Sequence, residues 1–457
     1  MRRDEHEKRG FWILLALGLA AFYLGFAILD GYHIYPDSTS YITMDESREP
    51  LYSLFLALVR RLFASSGTEG WLQAAALIQS LINAWACLFF ARTCSRELKL
   101  GRLSAGLVAL CTILPSIMCR FLARRGSMYS YSIITESLAL PLYLAFFACM
   151  LAWTVSGRRG ALLRGALLAF LLISIRKQMY ITLPLLLLCS FYRGLREHAW
   201  LRRTALALLL SAAVLFANTL LDRGYNLALR GEAVRHTGDM RFVTTMLLYT
   251  AQESDADTIS DPGTRALFEA VYRAAYEDGD LRRFAPEGWF ARSLFFNEHY
   301  DRIQFDCLKK TEMEFIAAGS GAEGLAQELD KDRMNDALNA ALLPLSWGRL
   351  AGTFADSFAM GLVTSVMTMR PRLILPTLLL YAAFAVLLIG SVALKRRSEA
   401  ELGFLTLAAI AVNVGLVALT IFCQSRYTIY NMPCFYAALW LMLRGCLCSL
   451  RQRRGAR

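Results

Sequence analysis

Long apolar runs alternate with short basic clusters along this chain, from residue 11 to residue 448. Several runs approach or exceed the ~20 residues that a helix needs to cross the hydrocarbon of a bilayer. Read by length and flanking charge, they predict ten spans, at 11–29, 72–92, 103–119, 133–155, 162–175, 178–192, 204–221, 373–394, 402–423 and 429–448. The first follows a basic start, as a signal peptide would. Its apolar stretch is too long for a signal core, and no small-residue cleavage site follows before Asp30.

Residues 161–192 predict a hairpin. A single long helix would place Arg176 and Lys177 at mid-membrane, which is expensive. Basic clusters flank the run on both sides, so an even number of crossings is required. Each arm is then short, about 15 residues. Residues 51–65 are too short to span and carry Arg60 and Arg61, so they read as a helix lying in the interface. Residues 350–369 are interrupted by Asp356 and read as interfacial or re-entrant. The largest polar segment, 222–370, has helical periodicity: Leu267, Val271 and Ala275 recur about four apart, and 322–342 is similar. The reading divides the chain into an N-terminal transmembrane module (1–221) with a first outer loop at 30–70, a mostly helical extracytoplasmic segment (222–370), and C-terminal spans with a basic tail (371–457). The expected fold class is an all-α polytopic membrane protein of about ten transmembrane helices with an extracytoplasmic helical subdomain.

Composition agrees. Of 457 residues, 56% are hydrophobic and only 19% charged, with mean hydropathy +0.40. That excludes a secreted globular enzyme, a disordered chain and a nucleic-acid module. The net charge of +12 therefore needs a membrane explanation. Six basic clusters, from Arg2–Arg9 to Arg451–Arg457, fall on one face if there are ten spans with both termini inside. This predicts a multi-pass protein of the cytoplasmic membrane with cytoplasmic termini and no nucleic-acid partner. Most of the eleven cysteines lie in apolar runs, and Cys307 stands alone in the large polar segment. No cysteine or histidine spacing matches a zinc pattern, so no structural metal is expected.

The outer face breaks the positive-inside rule. Arg48 lies in the first outer loop, and Arg120, Arg124 and Arg125 lie between spans three and four. Arg176 and Lys177 lie at the hairpin tip, and Arg426 between the last two spans. Arginine binds phosphate oxygens bidentately and stays charged when partly desolvated, so the set suggests a shared anionic site. The plainer reading pairs each with lipid headgroups or acidic neighbours. Glu136 opens span four in an otherwise uncharged run and needs a partner or a job. Its plainer reading is an ion pair with a nearby arginine. The chain has no Walker loop, GxSxG, HExxH or dinucleotide-type glycine turn.

The stretch after span one reads YPDSTSYITMDESREPLYSLFLALVRRLF. It resembles the opening of GT-C membrane glycosyltransferases, the superfamily that includes protein O-mannosyltransferases and lipid A aminoarabinose transferases. The matching positions are Asp37, Tyr41, Arg48, Pro50 and Tyr52. Thr135-Glu136-Ser137 is similar to the family's second acidic position, and Ser425-Arg426-Tyr427 with Pro433 to its late Arg-Tyr motif. The likeness covers roughly the first 220 residues and the last 90. Where the aminoarabinose transferases carry a Lys-Pro-Pro-like element, this chain reads Arg-Glu-Pro-Leu-Tyr, so the likeness does not extend to their substrate.

The resemblance implies a sugar donor on a polyprenyl phosphate, an extracytoplasmic acceptor (protein, lipid or wall polymer), and inversion at the anomeric carbon. Within that scheme Asp37 and Glu136 are the catalytic candidates, with Asp37 as base. Arg48, Arg124, Arg125, Arg176, Lys177 and Arg426 are candidates for the lipid phosphate. Tyr41 and Tyr427 are candidates for contact with donor or acceptor. A divalent cation between Asp37 and donor phosphate is compatible with this loop. Two other readings stay open. One is a lipid or oligosaccharide flippase, which would more often show repeats and mid-membrane charges. The other is a non-catalytic envelope-biogenesis protein whose 222–370 segment binds a partner.

Overall fold

The structure is a computed structural model that describes residues 2–122, 126–368 and 370–455. The described residues are helical nearly throughout and form no strand. Hydrocarbon offers no hydrogen bonds, so an apolar run must satisfy its backbone internally, and the helix does that. The helices are α1 (Arg2–Asp30), α2 (Ser38–Ile42), α3 (Pro50–Leu62), α4 (Gly67–Glu97), α5 (Arg102–Ile117), α6 (Glu136–Ser156), α7 (Arg159–Ile175), α8 (Thr182–Arg196) and α9 (Trp200–Arg230). They continue with α10 (Met240–Tyr249), α11 (Pro262–Glu277), α12 (Trp289–Arg302), α13 (Lys310–Ala318), α14 (Gly324–Thr364), α15 (Ile374–Ala393), α16 (Arg397–Thr420), α17 (Ser425–Thr428) and α18 (Met432–Gly455).

Among the described residues, eight stretches are long and apolar enough to cross a membrane: Arg9–Asp30, Ala64–Glu97, Arg102–Phe121, Glu136–Ser156, Trp200–Arg230, Pro371–Ala393, Arg397–Thr420 and Ser425–Arg453. Each overlaps a span expected from sequence. The other two expected spans are α7, of 17 residues, and α8, of 15, so each is too short to count by length. The chain breaks between them, where Arg176 is extended and Lys177–Ile181 form a short 3-10 turn.

Burial separates the helices into layers. In α6, 83% of the most apolar window lies inside the protein, against 17% for α1 and α15 and 22% for α9. On α15, Leu375, Leu378, Leu379, Val386 and Ile389 are all exposed. An apolar face of that extent suits hydrocarbon, not water. Helix α3 buries Tyr52, Ser53, Leu56 and Val59 and exposes a stripe of Leu54, Leu58 and Leu62. That is the pattern of a helix at a lipid–water boundary.

Two sequence boundaries shift. The division at 221/222 falls inside α9, which runs on to Arg230. Residues 350–364 do not form a separate re-entrant element: they are the last turns of the 41-residue α14. Asp356 does not interrupt it: Arg292 of α12 grips its carboxylate with bonds of 2.6 and 2.7 Å, which neutralises the charge locally.

Helices α10–α14 make a second core around Leu247, Phe268, Val271, Tyr300, Leu338 and Leu342. Glu312 is fully buried at its edge. Burial raises its pKa to about 7; Arg241, Asn335 and Lys331 oppose the rise and Glu328 adds to it. Its ordinary value is 4.5, so between the two values the folded chain holds a proton that the unfolded chain has released. The associated stability is fully present below the ordinary value and is lost as pH rises through about 7, by up to about 3 kcal/mol. Glu312→Gln should flatten that slope in thermal unfolding followed from about pH 5 to about pH 8. Equal slopes in mutant and wild type would assign the pH dependence elsewhere.

Candidate functional site

Backbone pairing brings the first loop to the start of α6. His33 donates its N–H to the Tyr131 carbonyl (3.3 Å) and accepts the N–H of Ile133 (2.9 Å). Ser38 Oγ donates to the Ile133 carbonyl at 2.6 Å. Asp37, at the N-terminus of α2, makes no side-chain capping bond, so its carboxylate faces other partners. Pro50 starts α3, as its fixed φ favours. The preceding Glu49 accepts the Lys177 N–H at 2.8 Å, which ties the first loop to the hairpin tip.

Four stretches of chain thereby form one charged cluster. Arg426 bridges the two carboxylates: Nη2 meets Asp37 Oδ2 at 2.8 Å, and Nε meets Glu136 Oε1. Arg48 Nη2 meets Asp37 Oδ1 at 3.2 Å. Its Nε donates to Ser40 Oγ (2.8 Å) and its Nη1 to the Tyr41 hydroxyl (3.3 Å), and its guanidinium lies 4.6 Å from the Tyr41 ring centre. Arg176 Nη1 meets Glu136 Oε1 at 2.5 Å and donates to Thr135 Oγ1 at 3.1 Å. The Arg176 guanidinium lies 5.2 Å from the Tyr427 ring centre. Gln178 accepts from Arg176 Nε at 3.1 Å and donates to Asn413 Oδ1 at 2.8 Å. At these contacts three guanidiniums face two carboxylates, and Glu49 and Asp301 add negative charge to the same field.

Exposure ranks these groups. The Glu136 side chain is 0% exposed, Arg176 13%, Arg426 18%, Arg48 26% and Asp37 32%. The cluster opens at Asp37 and closes at Glu136. Glu136 therefore cannot touch a substrate in this state; with both arginines bound to it, it positions them. Burial pushes the Asp37 pKa up, but Arg426 and Arg48 outweigh it and hold the carboxyl below its ordinary range. Burial pushes the Tyr41 hydroxyl up to about 12, so Tyr41 stays neutral and holds Arg48.

Asp37, Glu136, Arg48, Arg176, Arg426, Tyr41 and Tyr427 thus come together. Lys177 does not join them: its ammonium meets Asp239, the residue that precedes α10. Burial lowers its pKa to about 8; Glu49 opposes this, Arg235 adds to it, and Asp222 and Asp332 oppose it. Arg124 and Arg125 lie outside the described residues. Arg120 is paired with Asp30 and donates to the Tyr131 hydroxyl (3.0 Å), so it follows the plainer reading. Sequence reasoning missed Gln178 and Asn413. Asn413 is 0% exposed in an apolar span, where a polar residue signals a bonding role. It also missed Asp301 at the end of α12. Partial desolvation, then the Asp37 charge, raise the Asp301 pKa while Arg426 opposes, so the three share one field.

A divalent cation does not suit this donor set. Both Asp37 oxygens are engaged by guanidiniums, and three arginines repel a cation there. No family model, curated protein or solved structure matches this chain.

Proposed function

We propose that this protein is an integral membrane glycosyltransferase of the GT-C type, which moves a sugar from a polyprenyl-phosphate donor to an extracytoplasmic acceptor. One observation carries the reading: two arginines, Arg48 and Arg426, converge on a partly exposed carboxylate, Asp37. In this reading α7 and α8 complete ten crossings, both termini are cytoplasmic, and the α10–α14 module lies outside.

The donor phosphate competes with Asp37 for Arg48 and Arg426. Guanidiniums drawn to phosphate oxygens no longer stabilise the carboxylate, so Asp37 becomes a stronger base when donor binds. Its oxygen takes the acceptor hydroxyl proton as that oxygen bonds to the anomeric carbon. The bond from carbon to phosphate oxygen breaks on the opposite face, and the polyprenyl phosphate leaves with the electron pair. Phosphate is a weak base, so it needs the arginines' charge more than a proton.

The test is binding and turnover of radiolabelled polyprenyl-phosphate sugars by the purified protein in lipid, with crude envelope as acceptor. Wild type should bind a donor and label an acceptor. Arg48→Ala, which removes a partly exposed arginine, should weaken donor binding roughly tenfold. An intact protein that binds no lipid-phosphate sugar would end this reading.

A further inference from the structure

The α10–α14 module also gathers three metal-donor side chains at one point. Asp278 and Asp280 lie in the turn that ends α11, where Gly279 takes φ +72°. Cys307 lies on the π-helical stretch Ile303–Lys309 that continues α12. Such π turns shift helix register and recur at functional sites. One carboxylate oxygen from each aspartate and Cys307 Sγ all lie within 4.8 Å of one another.

Asp280 uses its oxygens unequally. Oδ1 meets His299 Nδ1 at 2.5 Å and Arg302 Nη1 at 3.2 Å. Oδ2 is buried with no hydrogen-bond partner. The Asp280 side chain is 0% exposed. A buried oxygen left without a donor carries a desolvation penalty that a bound cation removes. Cys307 is also buried and pairs with no other cysteine.

We propose that Asp278, Asp280 and Cys307 bind one divalent transition ion, with Zn2+ the best fit. The thiol sets the class, because carboxylate-only sites suit Mg2+ and Ca2+ while a thiolate selects Zn2+ over them. The Arg302 guanidinium offsets part of the negative charge of the three ligands. His299 holds Asp280 through Oδ1 and leaves Oδ2 for the ion, an orienting role typical of groups around a metal site. Burial pushes the Cys307 thiol up to about 12, and Asp280, Asp278 and Asp306 add to this, so the ion must displace its proton. Zinc bonds set ligand atoms roughly 3.5 Å apart, so the site closes by at most about 1 Å on binding. Asp278 is exposed and sits in the turn, so it is the group free to close. The ion would pin the end of α11 to the π turn, with water completing its coordination.

The test uses the full chain in detergent, stripped with chelator and dialysed against Zn2+ or Co2+. Wild type should hold about one tightly bound zinc by elemental analysis and melt higher with it. Cobalt should give a thiolate charge-transfer band in the near ultraviolet. Cys307→Ser and Asp280→Asn should lose both signals, whereas Cys111→Ser should keep them. Asp278→Asn, in an exposed turn, covers the case in which a buried variant fails to fold, and should weaken zinc at least tenfold. Wild type without stoichiometric zinc, or zinc affinity unchanged by Asp278→Asn, would overturn the site.

Discussion

Asp37→Asn is expected to bind lipid-linked donor at least as well as wild type and to lose transfer by about 10²–10⁴-fold, the usual contribution of a positioned base. The amide keeps the shape of the carboxylate beside Arg48 and Arg426. It removes one negative charge from beside two arginines, so attraction for an anionic donor rises while the proton acceptor disappears. The pH profile sharpens the prediction. Arg426 and Arg48 hold Asp37 below its ordinary range in the free protein, so the acidic limb of kcat/KM should fall below about 3.9. Donor phosphate draws those arginines away, so the limb of kcat should lie at higher pH. Transfer and donor affinity measured side by side across pH decide it. Normal transfer by the mutant would remove Asp37 as base, and coincident limbs would remove the competition between phosphate and carboxylate.

Glu136→Ala should give the largest loss of stability, about 3–5 kcal/mol, the usual penalty for breaking a buried pair by deleting one partner. The carboxylate is wholly buried and is the meeting point of Arg176 and Arg426. Without it, two largely buried guanidiniums face each other with only Asp37, already shared with Arg48, left to balance them. The double replacement Glu136→Gln with Arg176→Gln should recover part of the loss, since removing both charges also removes their desolvation penalty. Thermal unfolding of the purified variants reads both effects. A Glu136→Ala protein as stable as wild type would show that Arg176 and Arg426 do not depend on this carboxylate.

The apolar helices were legible because a long uninterrupted apolar run has one low-energy outcome in hydrocarbon. The hairpin break was legible for the complementary reason, since Arg176-Lys177 would be costly at mid-membrane. Asp356 misled because a charge in an apolar run reads as an interruption, and its neutralising partner, Arg292, is remote in sequence. Lys177 shows the same limit. Beside Arg176 it reads as a second phosphate ligand, yet neighbouring side chains in a tight turn point to different partners, and its partner is Asp239.

By itself, the chain's pattern of apolar runs and charge determined that this is an all-helical protein with helices able to cross a membrane, and it singled out Arg48, Glu136, Arg176 and Arg426 as charges in need of partners, whereas Asp37 stood out only through the first loop's resemblance to GT-C enzymes. Only the tertiary structure decided which of them meet, which carboxylate is open and which is sealed, and that Gln178, Asn413 and Asp301 belong beside them. The physical reason is range. Helix formation follows from local hydrogen bonding and the surrounding solvent, whereas the partner of a buried charge is chosen by packing between segments hundreds of residues apart, such as Asp37 and Arg426.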